Sequence, residues 1–164
     1  MRTIQGPQIG VPASITIDSS NNKYILDFST NSIHVLNASD QLSTNLNLST
    51  PSASGTLRIA GDGTLMLTVW LSGQRIVKKL ATDGTELFSV TYLTSDFIPS
   101  WATADSKGNM FLAGNNQVKV LGSNGIELGN FDLNVSSAPP CGLDHNGDTI
   151  YVCYLNRISS LSAE

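Results

Sequence analysis

Apolar and polar positions alternate along the chain in short runs, and the rhythm returns three times. The first passage is SITIDSSNNKYILDFSTNSIHVLNAS, from Ser14 to Ser39. LRIAGDGTLMLTVWLSGQRIVKKLATDG, WATADSKGNMFLAGNNQVKVLGSNG and CGLDHNGDTIYVCYLNRISSLSAE repeat it. Each apolar run is rich in Val, Ile, Leu and aromatic residues and is bounded by Gly, Asn, Asp and Ser, which reads as β-strand. DSSNN, AGDGT, DSKGN and DHNGD separate the first run from the second. NASDQ, TDGTE and SNGIE follow the third. Both sets are tight-turn chemistry, because Asn, Asp and Gly tolerate positive φ. A fourth run comes after them in STNLNLS, LFSVTYL and GNFDLNV.

In register, Asp18, Ala60, Asp105 and Asp144 form one column, and Ile33, Ile76, Val118 and Ile158 another. The spacing is a repeat of about 40 residues, and four antiparallel strands per unit of that size describe one blade of a β-propeller. RIVKKLATDGTELF places Ile76 and Leu80 at helical spacing, but the Thr82–Asp83–Gly84–Thr85 turn interrupts it and the period assigns a strand. The expected fold is all-β, a single domain over residues 1–164. Its blades run over about 12–50, 51–96, 97–137 and 138–164 plus 1–6. RISSLSAE ends after a third strand, and a strand from Arg2 to Gln5 is placed to complete that last blade and close a four-bladed ring. The rival is a partial propeller completed by a neighbouring copy, a heterologous contact.

These units resemble NHL-type propeller repeats, in which Pro opens the first strand and Asp closes it. Pro12, Pro99 and Pro140 fit the opening; Asp18, Asp105 and Asp144 fit the close. Tyr24, Phe111 and Tyr151 fit the aromatic second strand, Arg75-Ile76 and Arg157-Ile158 the third, and Asp27 the acidic end of the second. Ala60 departs from the pattern, and two units lack the Arg. The resemblance implies a binding scaffold, as in most such repeats, or a lyase or lactonase-like enzyme, as in some. It supports a fold and leaves the function to the site.

Composition narrows the partners. Only 13% of the 164 residues are charged and the net charge is −4 with 9 Lys and Arg, which argues against nucleic acid and against an anionic membrane surface. No apolar run approaches the ~20 residues that span a bilayer, so no membrane insertion is expected, and MRTIQGPQIG lacks the apolar segment of a signal peptide. A low-charge surface of Ser, Thr and Asn leans towards an extracellular, cell-surface or virion setting.

Catalytic chemistry is sparse. The innermost strands open with PASIT, SGTLR, PSWAT and PCGLD, which contain no His and no Glu. His34 alternates with Ile33 and Val35, which assigns it to the more exposed strand face, and His145 falls in a turn. No nucleophile–base set can be assembled and no cofactor is expected. Asp144, Asn146 and Asp148 alternate as the first oxygen ligands of a calcium loop do, without its later Gly and distal Glu; a plain turn is the other reading. Trp101, Tyr92 and Tyr154 are candidates for a recognition rim, with packing between blades as the alternative, and Trp70 ends a buried run. Cys141 and Cys153 stand opposite each other if the hairpin is centred on Gly147, as a disulfide or as two small buried thiols.

The sequence therefore predicts a non-catalytic module that presents a loop face to a protein or glycan, alone or in an oligomer or larger assembly. The alternative is a propeller hydrolase or lyase with a channel site, truncated in this chain.

Overall fold

The computed structural model describes residues 9–50, 54–133, 142–146, 149–154 and 157–162. Among these, all regular structure is β-strand, in four antiparallel sheets. The first sheet contains β1 (Pro12–Ile17), β2 (Lys23–Asp27), β3 (Ser32–Leu36) and β4 (Leu42–Asn47). The second contains β5 (Gly55–Ile59), β6 (Leu65–Leu71), β7 (Gln74–Leu80) and β8 (Glu86–Leu93). The third contains β9 (Pro99–Ala104), β10 (Met110–Gly114), β11 (Gln117–Leu121) and β12 (Glu127–Asp132). The fourth contains β13 (Gly142–Asn146), β14 (Thr149–Tyr154) and β15 (Arg157–Ser162). Every sheet is a plain meander with its strands in chain order.

The turns use the residues that the chain supplies for them. Asn21, Gly63 and Gly108 take positive φ between the first and second strands of their sheets, and Asp40, Gly84 and Gly125 do so between the third and fourth. Asp18 closes its turn by accepting from the amides of Ser20 and Asn22 and the side-chain amide of Asn22 at 2.8–2.9 Å. Asp105 holds Lys107 and Asn109 in the same way. A bulge recurs where the third strand of each complete sheet ends against the fourth, at Leu36, Leu80 and Leu121.

Ladder register corrects two of the expected columns. Ile33 pairs with Leu26 as Val77 pairs with Thr68 and Val118 with Ala113, so Val77 rather than Ile76 belongs to the column. Ile158 pairs with Cys153 and is exposed. In the fourth sheet the first ladder continues to Asn146 and Thr149, so Asp144 stands inside β13 opposite Tyr151 instead of closing a turn. Gly142 occupies the place opposite Cys153 that the hairpin expectation gave to Cys141, and Cys141 lies outside the described residues.

One apolar cluster fills each junction between successive sheets. Tyr24, Leu26 and Ile33 meet Leu57, Leu65 and Leu67. Met66 and Val77 meet Ala102, Ala104 and Met110. Phe111, Ala113 and Val118 meet Leu143, Ile150 and Val152. Truncating one of these Leu residues to Ala costs about 2–5 kcal/mol. The innermost strands follow one another, β1 on β5, β5 on β9 and β9 on β13. Hydroxyls of β1 satisfy the inner edge of β5: Ser14 Oγ bonds both the carbonyl and the amide of Leu57, and Thr16 Oγ1 accepts from the Ile59 amide at 2.9 Å. No hydrogen-bonded closure of the expected ring is present among the described residues. Among the described residues the first and fourth sheets share no ladder, and β1 leaves Ile15 and Ile17 in solvent. The strand expected from Arg2 to Gln5 lies outside the described residues.

Candidate functional site

Alternation along β5 sends Leu57 and Ile59 into the first junction and Arg58 to the other side. Arg58 reaches across β9 towards β13. Its guanidinium lies over the Trp101 ring at 5.1 Å from the centroid, and Nη1 stands 3.7 Å from Oδ2 of Asp144. Trp101 is packed against the cluster between the third and fourth sheets, which fixes the platform. The ion pair is long and half in water, worth at most ~1 kcal/mol; the stack on a fixed indole is worth about the same or more. The Arg58 Nε is buried without a hydrogen-bond partner. The guanidinium, held flat and partly exposed, can donate its outer N–H groups to a carbonyl or carboxylate edge, as it faces Asp144 beside it.

Two of the candidates are thus brought together, Trp101 and Asp144, through an arginine that the search for His and Glu passed over. Its signal in SGTLR is a lone cation on an otherwise apolar inner strand. Tyr92 is not on a rim: it meets Phe97 edge-on at 5.2 Å in the packing between the second and third sheets. Desolvation and then the Glu127 charge push its hydroxyl up to about 12. Asn146 alternates with Asp144 along a strand instead of forming a loop, and Asp148 lies outside the described residues. Among the described residues no group of three His, Cys, Asp or Glu side chains converges to hold a metal. The side chains of Tyr154 and His145 lie outside the described residues. Trp70 is covered by Arg75 at 5.7 Å.

His34 is buried, contrary to the exposed face expected for it. Its Nδ1 meets Asn45 Oδ1 at 2.6 Å, and its Nε2 meets Asp27 Oδ2 at 3.2 Å and Thr30 Oγ1 at 3.3 Å. Both ring nitrogens are therefore occupied, a structural use. The group borders a polar cavity of about 500 Å³ lined also by Ser32 and Asn47. Asp27 accepts from the amides of Gly10, Val11 and Ser29 and from the Ser29 hydroxyl. Burial raises its pKa, but these bonds, led by the Ser29 hydroxyl, outweigh it and hold the carboxyl well below the usual range.

No protein-family model and no curated protein sequence matches the chain. Solved structures do. A catalytically inactive virginiamycin B lyase from Staphylococcus aureus, solved with quinupristin, superposes with a TM-score of 0.74 at 21% identity over 99% of this chain and 56% of its own. A chain of a nidogen–laminin complex gives 0.72 at 17% identity, over 98% of this chain and 63% of its own. YCF48 with a bound peptide gives 0.69 at 12% identity, over 99% and 54%. The fold is that of β-propeller proteins, and the chain spans little more than half the length of these structures.

Proposed function

We propose that the chain is an NHL-type, non-catalytic propeller module that binds a protein partner at its inner strands. Arg58, stacked on Trp101 and partly exposed, carries this reading. The partner supplies a carbonyl or carboxylate to the guanidinium and an apolar group to the indole edge. The nidogen–laminin complex and peptide-bound YCF48 support protein over glycan as the ligand class. Selection from a displayed peptide library on the immobilised protein is expected to yield binders that R58A and W101A each weaken tenfold or more. Binders unaffected by both variants would place recognition elsewhere.

The likeness to a lyase favours a second reading, a propeller lyase with a channel site. Quinupristin incubated with the protein and followed by liquid chromatography with mass spectrometry separates the two. The binding-module reading requires the compound to remain unchanged, whereas a new product of the same or altered mass would establish the enzyme.

A further inference from the structure

Lys78 and Lys119 hold one position in the repeat, two residues before the bulge of the third strand. Each forms an ion pair with the first residue of the fourth strand, Lys78 with Glu86 at 2.7 Å and Lys119 with Glu127 at 3.3 Å. Between the second and third sheets the Lys119 ammonium stands 5.4 Å from the centroid of the Phe97 ring. Phe97 is fully buried there, edge-on to Tyr92. That place is thus filled by the chain's own rings beneath a lysine. Between the first and second sheets it is filled differently. Leu48 stands where Tyr92 does, because Ile33 pairs with Leu46 as Val77 pairs with Val90. Phe97 lies just before β9, whereas the sequence from Leu48 to Ser54 that precedes β5 contains no aromatic residue. A cavity of about 170 Å³ opens at this junction, and none of its described lining residues is aromatic. Leu46, Leu67, Val69 and Leu80 wall it, and Lys78, itself 6% exposed, completes it.

We propose that this cavity binds a single unfused aromatic ring, seated beneath the Lys78 ammonium as Phe97 is seated beneath Lys119. The size agrees, since an apolar cavity of about 150 Å³ holds a benzene molecule. The charge agrees as well. Lys78 bonds Glu86 and, at 3.0 Å, the Ser49 hydroxyl, but an ammonium has three protons to direct. Lys119 faces its ring while keeping its glutamate, so the ion pair and the ring are compatible. An ammonium over a ring face in a largely desolvated site favours an aromatic over a saturated group of the same size. Polar atoms attached to the ring would emerge beside the exposed Ser49 and Glu86. The cavity lies against β4 and β7, apart from the inner-strand site of Arg58 and Trp101, and neither site depends on the other.

Methyl NMR of the intact chain titrated with benzyl alcohol tests the site. The Leu46, Leu67, Val69 and Leu80 methyl signals are expected to move upfield under the ring current. Cyclohexylmethanol, the saturated counterpart, should bind roughly three- to tenfold more weakly. Lys78→Met should weaken benzyl alcohol by a similar factor and leave cyclohexylmethanol unchanged. Leu48→Phe, which supplies a ring from the chain itself, should abolish binding of both. If either variant fails to fold, the comparison of the two alcohols on the wild-type chain decides the matter. N-acetylphenylalanine amide separates the sources of the ring. Tighter binding of the amide than of benzyl alcohol assigns it to a peptide side chain, and binding of the alcohol alone assigns it to a free small molecule. Methyl signals unmoved by millimolar benzyl alcohol and by the amide would overturn the proposal. So would equal affinity for the aromatic and the saturated alcohol, or a Lys78→Met variant that binds benzyl alcohol as tightly as wild type.

Discussion

The amide of Gly61 donates to the carbonyl of Ala104 at 2.7 Å, joining the turn after β5 directly to the end of β9. Ala60, which stands where two other sheets have Asp, is buried in the same junction. A Cβ on Gly61 would stand 2.8 Å from the Asp105 carbonyl carbon and 2.9 Å from the Ala104 oxygen, which is backbone that cannot swing aside. Gly61→Ala is expected to cost about 1–3 kcal/mol by forcing the turns apart. In a domain of this size that lowers the melting temperature by roughly 3–10 °C. A melt within one degree of wild type would show that the junction slides freely.

What the sequence disclosed follows from what is local. The turns were legible because Asn21, Gly63 and Gly108 recur at one place and need no distant partner to adopt positive φ. The face of His34 was not. Every residue of β2 and β3 is buried, so apolar and polar positions do not alternate as they do in a sheet with one wet side. Ile76 was misplaced by one position because either face of β7 accepts an apolar residue. The pairing of Arg58 with Trp101 joins two units, and no pattern within either records it.

Asp27 makes the first sheet sensitive to acid. Its folded pKa lies below the unfolded value near 3.9, so the stability it contributes is fully present above that value and lost as pH falls through the folded one. Asp27→Asn is expected to cost about 2–4 kcal/mol at neutral pH, because it exchanges an acceptor of four hydrogen bonds for an amide. The gap between variant and wild type should narrow below pH 4. His34→Ala should cost a similar amount and couple to Asp27→Asn, the double variant losing less than the sum of the singles. Denaturant melts at pH 7 and pH 3 check both, and additive losses would show that the two side chains act independently.

Lys79 links the second sheet to the third. Its buried ammonium bonds Asp62 Oδ2 at 2.6 Å and donates to the Gly108 carbonyl at 3.1 Å. Burial raises the Asp62 pKa, and the bonds from Lys79 and Thr64 more than reverse it. Lys79→Met keeps the stem and removes the charge, so the Asp62 pKa should rise towards or above its usual value, with about 1–3 kcal/mol lost from the fold. Carboxyl carbon NMR titration of Asp62 reads this directly. An unchanged titration would mean that Thr64 alone holds the carboxylate.

Tyr92 makes the fold sensitive to base. Desolvation at its place beside Phe97, with the Glu127 charge adding to it, raises the hydroxyl from 10.0 to about 12. A raised pKa means stability that is whole below the unfolded value and lost as pH climbs to the folded one. The window is therefore pH 10 to 12. Within it the unfolded chain ionises while the folded chain still keeps the proton. Tyr92→Phe removes the ionising group and retains the ring against Phe97, so its melting temperature should fall less than that of wild type between pH 9 and pH 11.5. Tyr24, whose pKa is raised by burial and by its bond to Asp18, leaves part of the alkaline loss in place. Parallel alkaline slopes for wild type and Tyr92→Phe would show that Tyr92 ionises as readily in the folded chain as in the unfolded one.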